Sequence, residues 1–213
     1  MITFKASEDK LRIGFIDTET GGLDPKVHAI TEIGMVVADI DPKEPLAYHT
    51  LAEFEVLIQP NQDLALSPRA LEIQGRTLET LRADGTPEVA AYQHFDALLF
   101  DLNIHQREHV FVGQYAQFDY GFLRALYTRV TASGWESRAP MFNDNRSSWV
   151  CTRGLWHWMY QMGMHDLKSA RLQHMAQYYD MEQPDVHSAL ADAKLGLAVY
   201  ARMLEDIRRF YDA

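Results

Sequence analysis

The sequence predicts a three-layer α/β domain with a mixed central sheet flanked by helices. Three observations carry that prediction. Apolar, β-branched runs dominate the N-terminal part, a strand-like run at 109–112 leads into a helical stretch, and the chain closes on two helix-patterned segments. Strands first, then strand–helix alternation, is the order expected of a mixed sheet with helices on its faces. A chain of 213 residues can enclose one sizeable core, and two full domains would be crowded, so 1–213 is expected to be a single domain.

The elements follow in order. Short apolar runs at 11–17, 29–39 and 54–59 read as the first three strands, and 39–52, with Pro42 and Pro45, as a hairpin loop. Ser67-Pro68 is a helix-start signal, with a short helix expected to Gly75. Thr86-Pro87 opens another helix, whose Val89, Tyr92, Phe95, Leu98 and Leu99 recur at helical spacing. A fourth strand at 109–112 precedes a helix over 118–130 with Phe122, Leu123 and Leu126 on one face. The polar stretch 131–148 reads as a surface loop, 149–162 as a strand end entering a helix, and 167–179 and 188–209 as closing helices.

Composition narrows the function. The 47% hydrophobic, 23% charged chain has a globular make-up, with no apolar signal-peptide core at 1–10 and no run long enough to span a membrane. Cys151 is the single cysteine, which excludes an intrachain disulfide and a multi-thiol metal site and fits a reducing cytoplasm with a buried structural thiol. A net charge of −10 argues against a general nucleic-acid coat protein, but not against an enzyme that grips one strand end with a few basic groups.

Three segments carry carboxylates beside a strand end or a helix start. Asp17 and Glu19 stand two apart at the end of the first strand, in Phe15-Ile16-Asp17-Thr18-Glu19-Thr20-Gly21-Gly22, so they share a face. The same spacing recurs at Asp39 with Asp41 and at Glu53 with Glu55, but only Asp17 has an apolar run before it and glycines after it. Asp119 falls near the start of a helix, where it reads equally as a cap or a dipole partner. His187 precedes the last helix and Asp192 lies in its early turns, with small Ala189 and Ala191 allowing close approach to the sheet. Each alone reads also as a solvated surface group. Together, four acids and one imidazole supply what phosphodiester hydrolysis needs: oxygen ligands for two Mg²⁺ or Mn²⁺ ions and a base near neutral pH.

These motifs resemble the DnaQ-like DEDDh 3'–5' exonucleases, a family that includes proofreading subunits, ribonuclease T and oligoribonuclease, with a lean towards the ribonuclease T branch. The resemblance runs over about 11–202. It rests on Asp17-Thr18-Glu19-Thr20-Gly21-Gly22-Leu23, on Phe118-Asp119 with Gly121-Phe122-Leu123, and on His187, Ala189 and Asp192. Ser67-Pro68-Arg69-Ala70-Leu71 and Gln74-Gly75 look like the family's short helix near the substrate end. Members often carry His-Asn where this chain has Gln114-Tyr115.

The resemblance implies a ribonuclease-H-like fold and metal-dependent release of nucleoside monophosphates from single-stranded 3' ends of RNA or DNA. Carried onto matching positions, Asp17, Glu19 and Asp192 would hold one ion, Asp17 would bridge to a second supported by Asp119, and His187 would be the general base. Leu23, Ile73 and Phe118 match positions that contact terminal nucleotides, with turn or core packing as the rival reading. Trp156, Trp158 and Tyr160 read as core ahead of a base-stacking platform, and Arg138 and Arg146 as surface arginines placed to guide a strand. The expected partners are nucleic-acid 3' ends and no membrane, with homodimerisation left open. Two rivals are a phosphodiesterase confined to short oligonucleotides, which the acidic charge favours, and a silent end-binding module.

Overall fold

The computed structural model describes residues 10–102, 109–136, 148–183 and 188–212. Six strands, β1 (Leu11–Thr20), β2 (Ile30–Ile40), β3 (His49–Gln59), β4 (Thr86–Pro87), β5 (His109–Gly113) and β6 (Ser148–Cys151), form one sheet. Among the described residues seven α-helices accompany them: α1 (Pro68–Ile73), α2 (Leu78–Asp84), α3 (Glu88–Asp101), α4 (Ala116–Ala132), α5 (Thr152–Gln161), α6 (Leu172–Tyr178) and α7 (Ala189–Asp212).

The strand order is β4-β3-β2-β1-β5-β6. β1 pairs antiparallel with β2 and parallel with β5, so the expected mixed sheet is present. The period-2 alternation of β1 explains its two faces. Ile13 and Phe15 point to α7, whose Ala193, Leu197 and Tyr200 complete that core with Val36, Ala38 and Ile40 of β2. Ile16 points the other way, into a larger core with Tyr92, Phe95 and Leu99 of α3 and Phe122, Leu123 and Leu126 of α4. A third cluster joins Trp156 and Met159 of α5, Met175 and Ala176 of α6, and Leu195, Val199 and Met203 of α7.

Two glycines set how close α7 comes to the sheet. A Cβ at Gly34 of β2 would collide with the Ala189 backbone, and one at Gly196 of α7 would enter the Phe15 ring. Trp156 is fully buried, as the core reading has it, while Tyr160 is exposed.

Several boundaries differ from expectation. The loop after β2 is shorter than 39–52, because β3 begins at His49 and pairs back to Asp39. Thr86 and Pro87 form the edge strand β4, and helix α3 begins only at Glu88. Helix α2 was not anticipated; a reciprocal capping box between Thr77 and Thr80 starts it. The closing helix expected over 167–179 is only α6, because 165–171 is irregular and its Leu167 and Ala170 carbonyls accept from side chains distant in sequence. Cys151 is half-buried, its Sγ 3.6 Å from the Gln114 carbonyl. Arg138 and Arg146 lie outside the described residues. Among the described residues no helix is long and apolar enough to cross a membrane.

Candidate active site

The alternation that sends Phe15 to α7 sends Asp17 and Glu19 the same way, at the C-terminal end of β1. Asp192, in the first turn of α7, meets them there. One carboxylate oxygen from each of Asp17, Glu19 and Asp192 lies within 4.8 Å of the others.

Asp119 stands beside this trio. It occupies the first turn of α4, is almost fully buried, and its Oδ1 accepts from both the backbone N–H (3.1 Å) and the hydroxyl (2.9 Å) of Thr18. Thr18 points to the α4 side of β1, so one strand presents its acids on one face and anchors the neighbouring acid from the other. His187 lies outside the described residues. Its neighbour Ser188 accepts the Ala191 N–H at its hydroxyl (3.2 Å) and the Asp192 N–H at its carbonyl (2.9 Å), and so caps α7.

Glu32 completes the arrangement, and the motifs did not point to it. It sits opposite Glu19 in the β1–β2 register and is 2% exposed. Its Oε1 accepts the Ala189 N–H (2.9 Å), which is an orphan donor at the start of α7, and its Oε2 accepts from Arg76 (3.2 Å). The available signal was an acid inside the apolar run of β2, where an ionised side chain needs a partner. Behind it, Gln74 donates to the Thr20 carbonyl (2.7 Å) and accepts from the Thr31 hydroxyl (3.0 Å), tying α1 to the strand ends.

The electrostatics are those of crowded, shielded acids. Burial, then the charges of Asp119, Glu19, Asp192 and Glu32, push the Asp17 carboxyl well above the usual carboxylate range. Burial, followed by Asp192, Glu32 and Asp119, raises Glu19 to about 7 against the pull of Arg76. Burial lifts Asp119 to about 7, opposed by its Thr18 hydrogen bonds. Acids this close stay ionised together only with positive charge among them. Three converging carboxylate oxygens therefore fit a hard divalent cation.

Of the expected nucleotide contacts, Leu23 is 85% exposed and Ile73 is 55% exposed, so neither is a core residue. Phe118 is half-buried, tilted against Phe122 and stacked at 6.4 Å on exposed Tyr115. Beside Asp17 and Asp192 opens a cleft of about 670 Å³, lined also by Gln114, Tyr115, Arg153, His157 and residues 168–173. Its basic side chains come from separate places in the sequence, so no linear motif marked them.

Known proteins give the same frame. The family model of the RNase_T exonucleases matches residues 15–200. A PolC-type DNA polymerase III of Thermotoga petrophila is 26% identical over 208 residues, covering 98% of this chain and 13% of that protein. The 3'-5' DNA exonuclease Cap18 of Escherichia coli is 26% identical over 144 residues, covering 65% of this chain and 72% of that protein. The chain thus spans only about an eighth of the polymerase it matches. Among solved structures, E. coli exonuclease I in complex with a dT13 oligonucleotide superposes with a TM-score of 0.74 at 20% identity, over 95% of this chain and 43% of that one. A 3'-exonuclease that recognises the histone mRNA stem-loop superposes with a TM-score of 0.69 at 17% identity, over 94% and 84%.

Proposed function

We propose, from the premise that this chain belongs to the RNase_T exonuclease family, that it removes nucleoside 5'-monophosphates one at a time from single-stranded 3' ends of RNA or DNA. The observation that carries this reading is the convergence of Asp17, Glu19 and Asp192 within 4.8 Å at the end of β1. In this reading the whole chain acts as a single exonuclease domain. Two Mg²⁺ or Mn²⁺ ions are its cofactors, held by Asp17, Glu19 and Asp192 with Asp119 supporting the second.

Such cations neutralise the phosphate and acidify the attacking water when bound. The chain's own groups do the rest. His187 takes the proton of the water that adds to phosphorus. The bond from phosphorus to the 3' oxygen of the preceding nucleotide breaks, and that oxygen leaves as a 3'-hydroxyl after gaining a proton. Thr18 keeps Asp119 oriented, and Glu32 keeps the start of α7, and with it Asp192, against the sheet. Leu23, Ile73 and Phe118 line the place of the terminal nucleotides. The single cysteine, Cys151, supports a cytoplasmic setting.

The test is product analysis on 5'-labelled single-stranded RNA and DNA with Mg²⁺ or Mn²⁺. A ladder shortening from the 3' end, with monophosphates released, is expected. His187→Ala should slow it by about 10²–10⁴ while leaving strand binding within a few-fold. Full activity in excess chelator, or rapid cutting of a closed circular strand, rejects the proposal.

A further inference from the structure

The cleft has two unlike walls. Asp17 and Asp192 line it from β1 and α7, and Arg153, Lys168 and Arg171 line it from the start of α5 and the segment before α6. In a chain of net charge −10, three cations facing one cleft are a local reversal of sign. All three are exposed, and among the described residues none of them enters an ion pair. Structural arginines on this protein behave otherwise: Arg12, Arg76 and Arg129 each bind a carboxylate.

This wall is also held in place. The segment between α5 and α6 turns at 162–164 and then runs irregularly over 165–171, and two of its carbonyls are taken by buried or half-buried side chains. Trp156 Nε1 donates to the Leu167 carbonyl (3.0 Å) and Gln114 Nε2 donates to the Ala170 carbonyl (2.6 Å). Gln114 Oε1 accepts in turn from the Thr152 hydroxyl (2.7 Å), at the start of α5. Lys168 therefore lies between two pinned residues and Arg171 directly follows one. On the α5 side, the Arg153 N–H donates to the Gln114 carbonyl (3.1 Å), and its guanidinium lies 5.1 Å over the ring of Tyr115. That ring is 48% exposed and within 13° of parallel to Phe118. So Gln114 and Tyr115 serve the cleft wall: one pins it and the other supplies an aromatic face.

We propose that Arg153, Lys168, Arg171 and the face of Tyr115 form a preorganised seat for the phosphates and one base of a nucleic-acid single strand, immediately 5' of the nucleotide at the carboxylates. The seat rests on the nuclease reading only for its direction. Its chemistry follows from cations and an exposed ring along one cleft, the combination that tracks a single strand without reading its sequence. Continuity with the carboxylates assigns the occupant, since a phosphodiester at Asp17 and Asp192 places its next phosphates within the same cleft. Ordering cost is low because the wall is already pinned.

The test separates gripping from chemistry. Anisotropy of a 5'-fluorescein oligothymidylate, in Ca²⁺ between about 50 and 200 mM salt, gives Kd and its salt slope. Each lost phosphate contact should flatten the log–log slope by about 0.7, so the Arg153→Ala, Lys168→Ala, Arg171→Ala triple variant should lose about 2. Tyr115→Ala should raise Kd roughly 5- to 150-fold with the slope unchanged, and Tyr115→Phe should not. Hydrolysis of the p-nitrophenyl ester of thymidine 5'-monophosphate, which has no 5' neighbour, should stay at the wild-type rate in the triple variant. Lys168→Gln, exposed and unpinned at its side chain, repeats the slope measurement at single-contact scale should the triple variant not fold. A wild-type slope in the triple variant overturns the seat. So does equal flattening on removing three exposed cations elsewhere (Lys43, Arg82 and Arg202), or ester turnover that falls in step with binding. A wild type that binds with this salt slope yet hydrolyses neither ester nor oligonucleotide upholds the seat and rejects the nuclease.

Discussion

At the residue scale the site is a set of mutually repelling acids. Asp17 neighbours Glu19, Asp192, Asp119 and Glu32, and burial magnifies their mutual repulsion. Asp17→Asn removes one negative charge at nearly constant shape. In chelator the variant should melt at the same temperature as wild type or higher, since repulsion falls. Its stabilisation by Mg²⁺ should shrink, because one of the three converging carboxylates is gone. Cation assistance is worth several kcal/mol at the transition state, so turnover should drop by at least about 10³-fold. Thermal melts with and without Mg²⁺, beside rates on single-stranded oligonucleotides, check all three. Wild-type turnover in Asp17→Asn would detach the first motif from the chemistry.

At the element scale, function depends on where α7 begins. Its first N–H donors have no partner within the helix, and Glu32 satisfies that of Ala189. Glu32→Ala should leave that donor unpaired in a buried place and cost about 1–3 kcal/mol. Glu32→Gln keeps an acceptor and should cost less. Urea unfolding of the two variants checks the order; equal losses would reduce Glu32 to a source of charge. Alternation along β1 made Asp17 and Glu19 readable from the sequence, and small residues after His187 made the start of α7 readable. The irregular path of 165–171 was not readable, because Trp156 and Gln114, distant in sequence, decide its hydrogen bonding. The early start of β3 is likewise settled across the sheet, by pairing of His49 with Asp39. Helix α2 did leave a trace, in the spacing of Thr77 and Thr80, but it is too short for hydrophobic periodicity to reveal. The cations of the cleft wall came together only through folding.

For the whole molecule, the raised acids link stability to pH and to metal. Glu19 moves from 4.5 to about 7, and Asp119 from 3.8 to about 7. A folded-state pKa above the unfolded value means that the folded protein holds the proton more tightly. The stability this contributes is fully present below about pH 4 and is lost as pH rises through about 7, so in chelator these acids destabilise the protein across that window. Divalent cations demand the ionised carboxylates, so protons compete with them and the sign reverses. Mg²⁺ at about a hundred times its dissociation constant should add about 2.7 kcal/mol, or roughly 5–10 °C of melting temperature for a chain of this size. That increment should appear in full above about pH 8 and fade towards zero near pH 5, as the cluster takes up its protons. Acids elsewhere on the surface titrate in both conditions and cancel in the difference between melts with Mg²⁺ and with chelator. The curve to measure is therefore that difference against pH, in wild type and in Asp17→Asn. Wild type should rise through about pH 7, while the variant should stay low and nearly flat. An increment independent of pH would mean that Mg²⁺ binds somewhere other than these acids.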